Sequence, residues 1–239
     1  MGKWVFIFFL PVLGLAQVDL KLNRPQKLAA VKATSILPHF LAQIVRKHPQ
    51  ELLLGVDAGR NVSRAQIDVH RIIQETEQIS HMVNNRVPFN QVVYQMGFVS
   101  GLLSVYLDPS TNLNGDYHQG FQYLTNQKLS KLLFVFPGYA AWGNSRQDLE
   151  VFLRRYEKTR LDHQSVLQTH YAKVNQPTRA LFDDRHPVFG VASIYFSNLS
   201  GVSARLWRYA WDQANGDQAF TPLEGEYQSP VIAPAKVGK

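Results

Sequence analysis

Two long stretches of this chain carry no charge. Val87 to Leu107 is one and Pro187 to Ala204 the other, and each places apolar side chains all the way around a helix. A helix apolar on every side is the centre of a large bundle or a membrane span. Asn90, Gln91, Gln95 and the serines of the first stretch, and Asp108 directly after it without a cationic flank, favour the bundle. Each stretch also carries a ridge of small residues. Gly97, Ser100, Gly101 and Ser104 form the first; Gly190, Ser193, Ser197, Gly201 and Ala204 form the second. The ridges predict two central helices in close backbone contact.

Around them the apolar period is helical. Ile36, Leu37, Phe40, Leu41, Ile44 and Val45 predict a helix from Thr34 that ends at His48-Pro49. The segment before it, from Gln17, reads as an extended or loosely helical lead-in. After Leu52-Leu53-Leu54-Gly55 a short polar loop is expected, holding Asp57. A second helix should run from about Ser63 to Arg86, its buried stripe made by Val69, Ile72, Ile73, Thr76, Ile79 and Val83. Asp116 can cap a further helix reaching Val135. Ser145 begins a long one to about Val174, and the last ends at Asn215-Gly216. From Gln218 a proline-containing tail is expected to stay unpacked. The prediction is an all-α single-domain bundle of about six helices over residues 34–217, with the two uncharged helices at its centre.

Composition narrows the chemistry. The 239 residues are 45% apolar, enough for a sizeable core, and include no cysteine. That excludes a disulfide scaffold, a thiolate zinc site and a cysteine nucleophile. The formal net charge of +7 suits an anionic surface or substrate, but it is spread along the chain and gives no specific nucleic-acid signal. At the N-terminus, Met1-Gly2-Lys3, an apolar run from Trp4 to Leu15 and small residues at Gly14 and Ala16 make a secretory signal peptide cut after Ala16. The protein is therefore expected to be exported, to a periplasm or the exterior.

Histidine, aspartate and glutamate are left as metal ligands and acid–base groups. His70, Glu77 and His81 share one helical face, but that face lies roughly 120–160° from the apolar stripe of its helix and should meet solvent. His163 and His170, with Arg160, fall instead on the inward side of their helix, near Leu149, Phe152, Leu153, Tyr156, Leu167, Tyr171 and Val174. Buried imidazoles and a buried guanidinium need partners. They could ligate a metal, bind an anion such as phosphate, or hydrogen-bond to a carboxylate. Asp183-Asp184 caps the last helix in the simplest reading. No Gly-rich phosphate loop, His-Glu-x-x-His or Gly-x-Ser-x-Gly is present.

Several stretches look familiar. Arg46-Lys47-His48-Pro49 followed by Glu51-Leu52-Leu53-Leu54-Gly55, the small-residue helix from Gly97 to Ser104, and Tyr117 to Tyr139 are examples. Others are Phe182-Asp183-Asp184-Arg185, Phe189-Gly190-Val191-Ala192-Ser193 and Leu206-Trp207-Arg208-Tyr209-Ala210-Trp211. Together they resemble the bacterial zinc-dependent phospholipase C-like family across about Leu37 to Asp217. The resemblance implies an exported all-helical fold which, in active relatives, holds a cluster of zinc ions and cleaves phosphate esters.

Two departures stand beside it. Active relatives start the mature chain near a zinc-binding Trp, whereas Gln17-Val18-Asp19 has none. They also carry a His-x-x-x-Asp pair on the central helix, where this chain offers Gly97, Ser100, Gly101 and Ser104. Only Asp57 matches a ligand-bearing segment. The resemblance thus implies a divergent member, lacking most metal ligands, with lost or reduced phosphoesterase activity. An active metal-dependent phosphoesterase with a reduced site is the alternative; it would hold zinc through Asp57, His163, His170 and His70 and act on a phospholipid or another phosphate ester. A weaker alternative embeds the two uncharged helices in a membrane.

Overall fold

The structure, a computed structural model, describes residues 24–139 and 145–222. The signal-peptide segment, most of the lead-in and the tail beyond 222 lie outside the described residues. Those described are all-helical, without a strand, as the period predicts. They form eight α-helices rather than about six: α1 Pro25–Thr34, α2 His39–Lys47, α3 Pro49–Arg60, α4 Val69–Asn84, α5 Phe89–Tyr106, α6 Gly115–Gln127, α7 Arg146–Tyr171 and α8 Pro187–Gln213.

The two extra helices come from small residues. α1 occupies the expected lead-in, with Pro25 in its first turn and Ala29, Ala30 and Ala33 wholly buried, and packs on α8. Alanines bury little area each, so their stripe is faint in sequence, yet they let two backbones come close. Pro38 then breaks the chain between α1 and α2. α3 runs straight through the stretch expected to be a loop, so Asp57 is helical, with a turn still to come before Arg60.

α4 begins later than expected. Asp68 caps it by accepting from the Arg71 N–H at 2.7 Å, and Arg64–Gln66 is a separate single turn. Likewise α6 starts on the Asn114 cap and stops at Gln127, well short of Val135. A single turn at Leu129–Lys131 then leads into irregular chain over 132–139. Ser197 of α8 holds that chain, accepting from the Val135 N–H and donating to the Leu133 carbonyl. The end of α8 matches the sequence signal. Asn215 is left-handed, at φ 55°, and the Gly216 N–H closes on the Trp211 carbonyl at 2.8 Å.

The centre is built by α3, α5 and α8. α5 does present small residues, but on two neighbouring faces rather than one ridge. Gly97 and Gly101 lie against Gly55 and Gly59 of α3. A Cβ on Gly97 would sit 2.1 Å from the Leu52 carbonyl oxygen, and one on Gly101 2.4 Å from that of Val56. Residue numbers rise together along this contact, so α3 and α5 run parallel. The other face meets α8. The Trp207 indole N–H donates to the Met96 carbonyl at 2.9 Å, Ser100 Oγ donates to Ser203 Oγ at 2.8 Å, and Tyr195 OH donates to the Ser104 carbonyl at 2.6 Å. Here numbers rise on α5 and fall on α8, an antiparallel pair. The expected ridge-to-ridge contact does not form. On α8, Gly190 faces open space and Gly201 meets the Phe136 ring. Among the described residues no helix is long and apolar enough to cross a membrane.

Candidate functional site

Gly97, Ser100, Gly101 and Ser104 of α5 stand where the resemblance places metal ligands in active relatives. Those positions are committed elsewhere. The glycines hold α3 at backbone distance, Ser100 bonds to Ser203, and Ser104 Oγ donates to its own helix at the Gly101 carbonyl. Zinc takes imidazole, carboxylate or thiolate. Glycine supplies no donor and these hydroxyls are neutral and already used, so the residues present do not fit a multi-zinc cluster at these positions.

The four residues singled out as ligands stand in separate places. Asp57 is on α3, held by Lys27 of α1 at 2.7 Å and by Arg24 at 3.7 Å. His70 is exposed on the first turn of α4, beside Glu150 near the start of α7. Glu77 pairs with Arg146, and His81 is exposed. His163 lies thirteen residues beyond Glu150 along α7, roughly 20 Å at 1.5 Å per residue. It is half-buried, and burial pushes its imidazole below the usual histidine value. His170 is two turns further on. Its ring meets that of His186, the α8 cap, edge to face at 4.6 Å, and His186 also stacks on Phe182 at 4.3 Å. The His186 Nδ1 accepts from the Val188 N–H, while burial and then the nearby His170 depress its pKa. Among the described residues no three His, Asp or Glu side chains converge as a metal cage.

Two further polar sites stand out among the described residues. The first is a cavity of about 10 Å³ between α7 and α8, lined by Tyr156, Thr159, Arg160, His163, Tyr195 and Asn198. That is room for one water-sized group. The sequence pointed here, since the inward sector of α7 held both Arg160 and His163.

The second joins the end of α5 to α6. Asp108 is 5% exposed; its Oδ1 accepts from the Ser110 N–H at 2.8 Å and from Ser110 Oγ at 2.6 Å, and its Oδ2 accepts from Gln122 at 3.0 Å. His118 Nδ1 completes the chain at 2.9 Å from Ser110 Oγ. Ser110 is wholly buried, out of reach of any substrate. This network therefore anchors a turn. The available signal was an acid ending a charge-free helix two residues before a serine, an Asx-turn pattern.

Burial raises the Asp108 carboxyl above its ordinary 3.8, outweighing the Ser110 bonds and the His118 and Arg60 charges that pull it down. The folded state then binds this proton more tightly than the unfolded chain. The contribution is full below the unfolded value and fades as pH climbs through the folded one. Asp108→Asn mimics the protonated acid, so its melting temperature relative to wild type should rise as pH climbs above the ordinary carboxyl value of 3.8. A constant or falling difference across a pH series of thermal melts would refute this.

No family model matches the chain, and no curated protein matches it in sequence. In structure it is similar to the alpha-toxin of Clostridium perfringens from avian strain SWCP, with a TM-score of 0.57 and 14% identity. The match covers 82% of this chain and 64% of that one, so the chain spans less than two thirds of the toxin. The fold is phospholipase C-like. At this identity the likeness concerns the fold alone.

Proposed function

We propose that this is an exported protein of phospholipase C-like fold in which metal-dependent hydrolysis of phosphate esters is lost or strongly reduced, and whose helical body serves to bind a phospholipid or another phosphate ester. One observation carries the loss of hydrolysis. Where the resemblance calls for an imidazole and a carboxylate one turn apart, α5 presents Gly97, Ser100, Gly101 and Ser104, and each of the two glycines has an α3 carbonyl in the space a side chain would need. The scattering of Asp57, His70, His163 and His170 over three helices supports the same reading, since a shared ion needs donors within about 2.0–2.3 Å of one point. Binding is supported by the net positive charge and by a fold that places two inward-facing polar residues, Arg160 and His163, at one cavity.

Elemental analysis of the purified full chain, paired with phosphodiesterase and phosphatidylcholine-hydrolysis assays, tests this. The expectation is zinc well below one ion per chain and turnover that chelator does not change. One or more zinc ions per chain, with hydrolysis abolished by chelator, would establish the competing reading of an active enzyme with a reduced metal site. Export is tested separately: the N-terminus of protein recovered outside the cytoplasm should be Gln17.

A further inference from the structure

Arg160 is 5% exposed midway along α7. Its Nε and Nη1, both shut off from water, have no hydrogen-bond partner among the described residues. The Nε of Arg64 is in the same condition. Arg64 donates one bond, from Nη1 to the Ile67 carbonyl at 2.6 Å, and its guanidinium lies over the Tyr106 ring at 5.3 Å. The two guanidiniums are near enough that the Arg64 charge acts on Arg160, with Glu157, Tyr106 and Asp108 as the opposing groups around them. Neither Glu157 nor Asp108 closes an ion pair with Arg160, and Asp108 is already engaged by Ser110 and Gln122. A guanidinium stays protonated under any ordinary condition, so the fold holds a buried, under-compensated positive charge with idle donors.

That charge borders the cavity between α7 and α8. Besides Arg160, the lining offers the His163 imidazole and the Asn198 amide, both half-buried, and so forms a rim open to solvent; the Thr159 hydroxyl beside them donates to the Arg155 carbonyl at 3.2 Å. A hollow that admits one water-sized group does not take the two abreast oxygens of a bidentate carboxylate. A tetrahedral oxyanion can insert one oxygen and leave the other three at the rim. Guanidinium is the side chain best matched to such oxygens.

We propose that this cavity is a phosphate-recognition site, in which one non-bridging oxygen enters beside Arg160, and His163 and Asn198 meet the oxygens that remain outside. The site deepens the function proposed above and rests on its phosphate-binding half; it uses none of the positions on α5 and holds whether or not hydrolysis survives. Its ligand is a phosphate group, which free phosphate, a soluble phosphate ester or a lipid headgroup can each present.

The test uses the full chain in buffer with constant chloride. Inorganic phosphate is titrated by calorimetry and followed by melting temperature, and vesicles of phosphatidylcholine with or without phosphatidic acid are tested by flotation. Wild type should bind one phosphate per chain and melt at a higher temperature as phosphate is added. Arg160→Met should weaken binding at least ten-fold while keeping the helical circular dichroism, since an apolar side chain of similar length suits the buried position. Asn198→Leu, at the rim, should weaken it several-fold and serves if the first variant fails to fold. Flotation with phosphatidic acid that Arg160→Met abolishes identifies the headgroup source; phosphate binding without flotation identifies a soluble one. No phosphate response in wild type, an equal response to chloride, or unchanged binding in both variants overturns the proposal. None of these readouts measures zinc or turnover, so failure of the site is distinguishable from failure of the lost-hydrolysis reading.

Discussion

Gly97→Ala should destabilise the protein by about 3 kcal/mol or more, at the top of the usual range for overpacking. The added Cβ would lie 2.1 Å from the Leu52 carbonyl oxygen and 2.9 Å from its carbon. Both are backbone atoms of α3, so no flexible side chain can swing away. Relief requires α3 and α5 to separate, and that separation would open the neighbouring contacts at Gly55, Gly59 and Gly101 together. For a chain of this size each kcal/mol moves the melting temperature by roughly 2–4 °C, so a fall of roughly 6–12 °C is expected. Gly190→Ala is the control: nothing lies within 4 Å of its Cβ, and an alanine there replaces a poor helix former, so stability should hold or improve. Thermal melts of the two variants against wild type decide the matter. A Gly97→Ala protein melting with wild type would mean that α3 and α5 are not in backbone contact, and room for metal ligands on that face would reopen.

Those glycines also show where the sequence misled. Gly55-Val56-Asp57-Ala58-Gly59 has the composition of a loop, and glycine pairs usually punctuate helices. Here the pair is spaced by one turn, matching Gly97 and Gly101, and it serves close approach inside a helix. One-dimensional reading treats a glycine as permission for backbone freedom; only the partner helix shows that it is permission for contact. α1 was faint for a related reason, because Ala29, Ala30 and Ala33 weigh little in an apolar stripe although each is wholly buried. By contrast α4 and α7 were legible from their apolar period, and α5 and α8 from stretches without charge. Their buried positions hold large residues such as Ile72, Val93, Leu153 and Phe196, all at or near zero exposure.

The candidate site was legible where it depended on one helix and hidden where it depended on two. That Arg160 and His163 turn inward follows from angles along α7. That His170 meets His186 does not, since the second ring arrives from the cap of another helix after an intervening turn. Asp57 looked free to ligate a metal because it was expected in a loop after Gly55; it lies instead on α3, where Lys27 of the packed α1 is its counter-ion. The missed Asp108 network spans a turn and α6, and its members are too mixed in type to form a recognisable motif.

Trp207→Ala should cost about 3–5 kcal/mol, a fall of roughly 6–20 °C in melting temperature. Trp207 is wholly buried on α8 and its indole N–H reaches across to the Met96 carbonyl of α5. It stands at one end of a register in which Met96, Ser100 and Ser104 meet Trp207, Ser203 and Tyr195. The serine and tyrosine contacts are hydrogen bonds, each with a net value of about 1 kcal/mol, and they fix the register more than they bind the helices. The indole supplies the apolar area that the small residues of this interface lack, so its removal leaves a cavity that α5 cannot fill while glycines hold its other face against α3. Trp207→Phe keeps most of that volume and gives up the hydrogen bond, and should lose far less. Urea unfolding of both variants separates area from hydrogen bonding: alanine and phenylalanine variants of equal stability would show that the indole N–H, not its burial, pins α8 to α5.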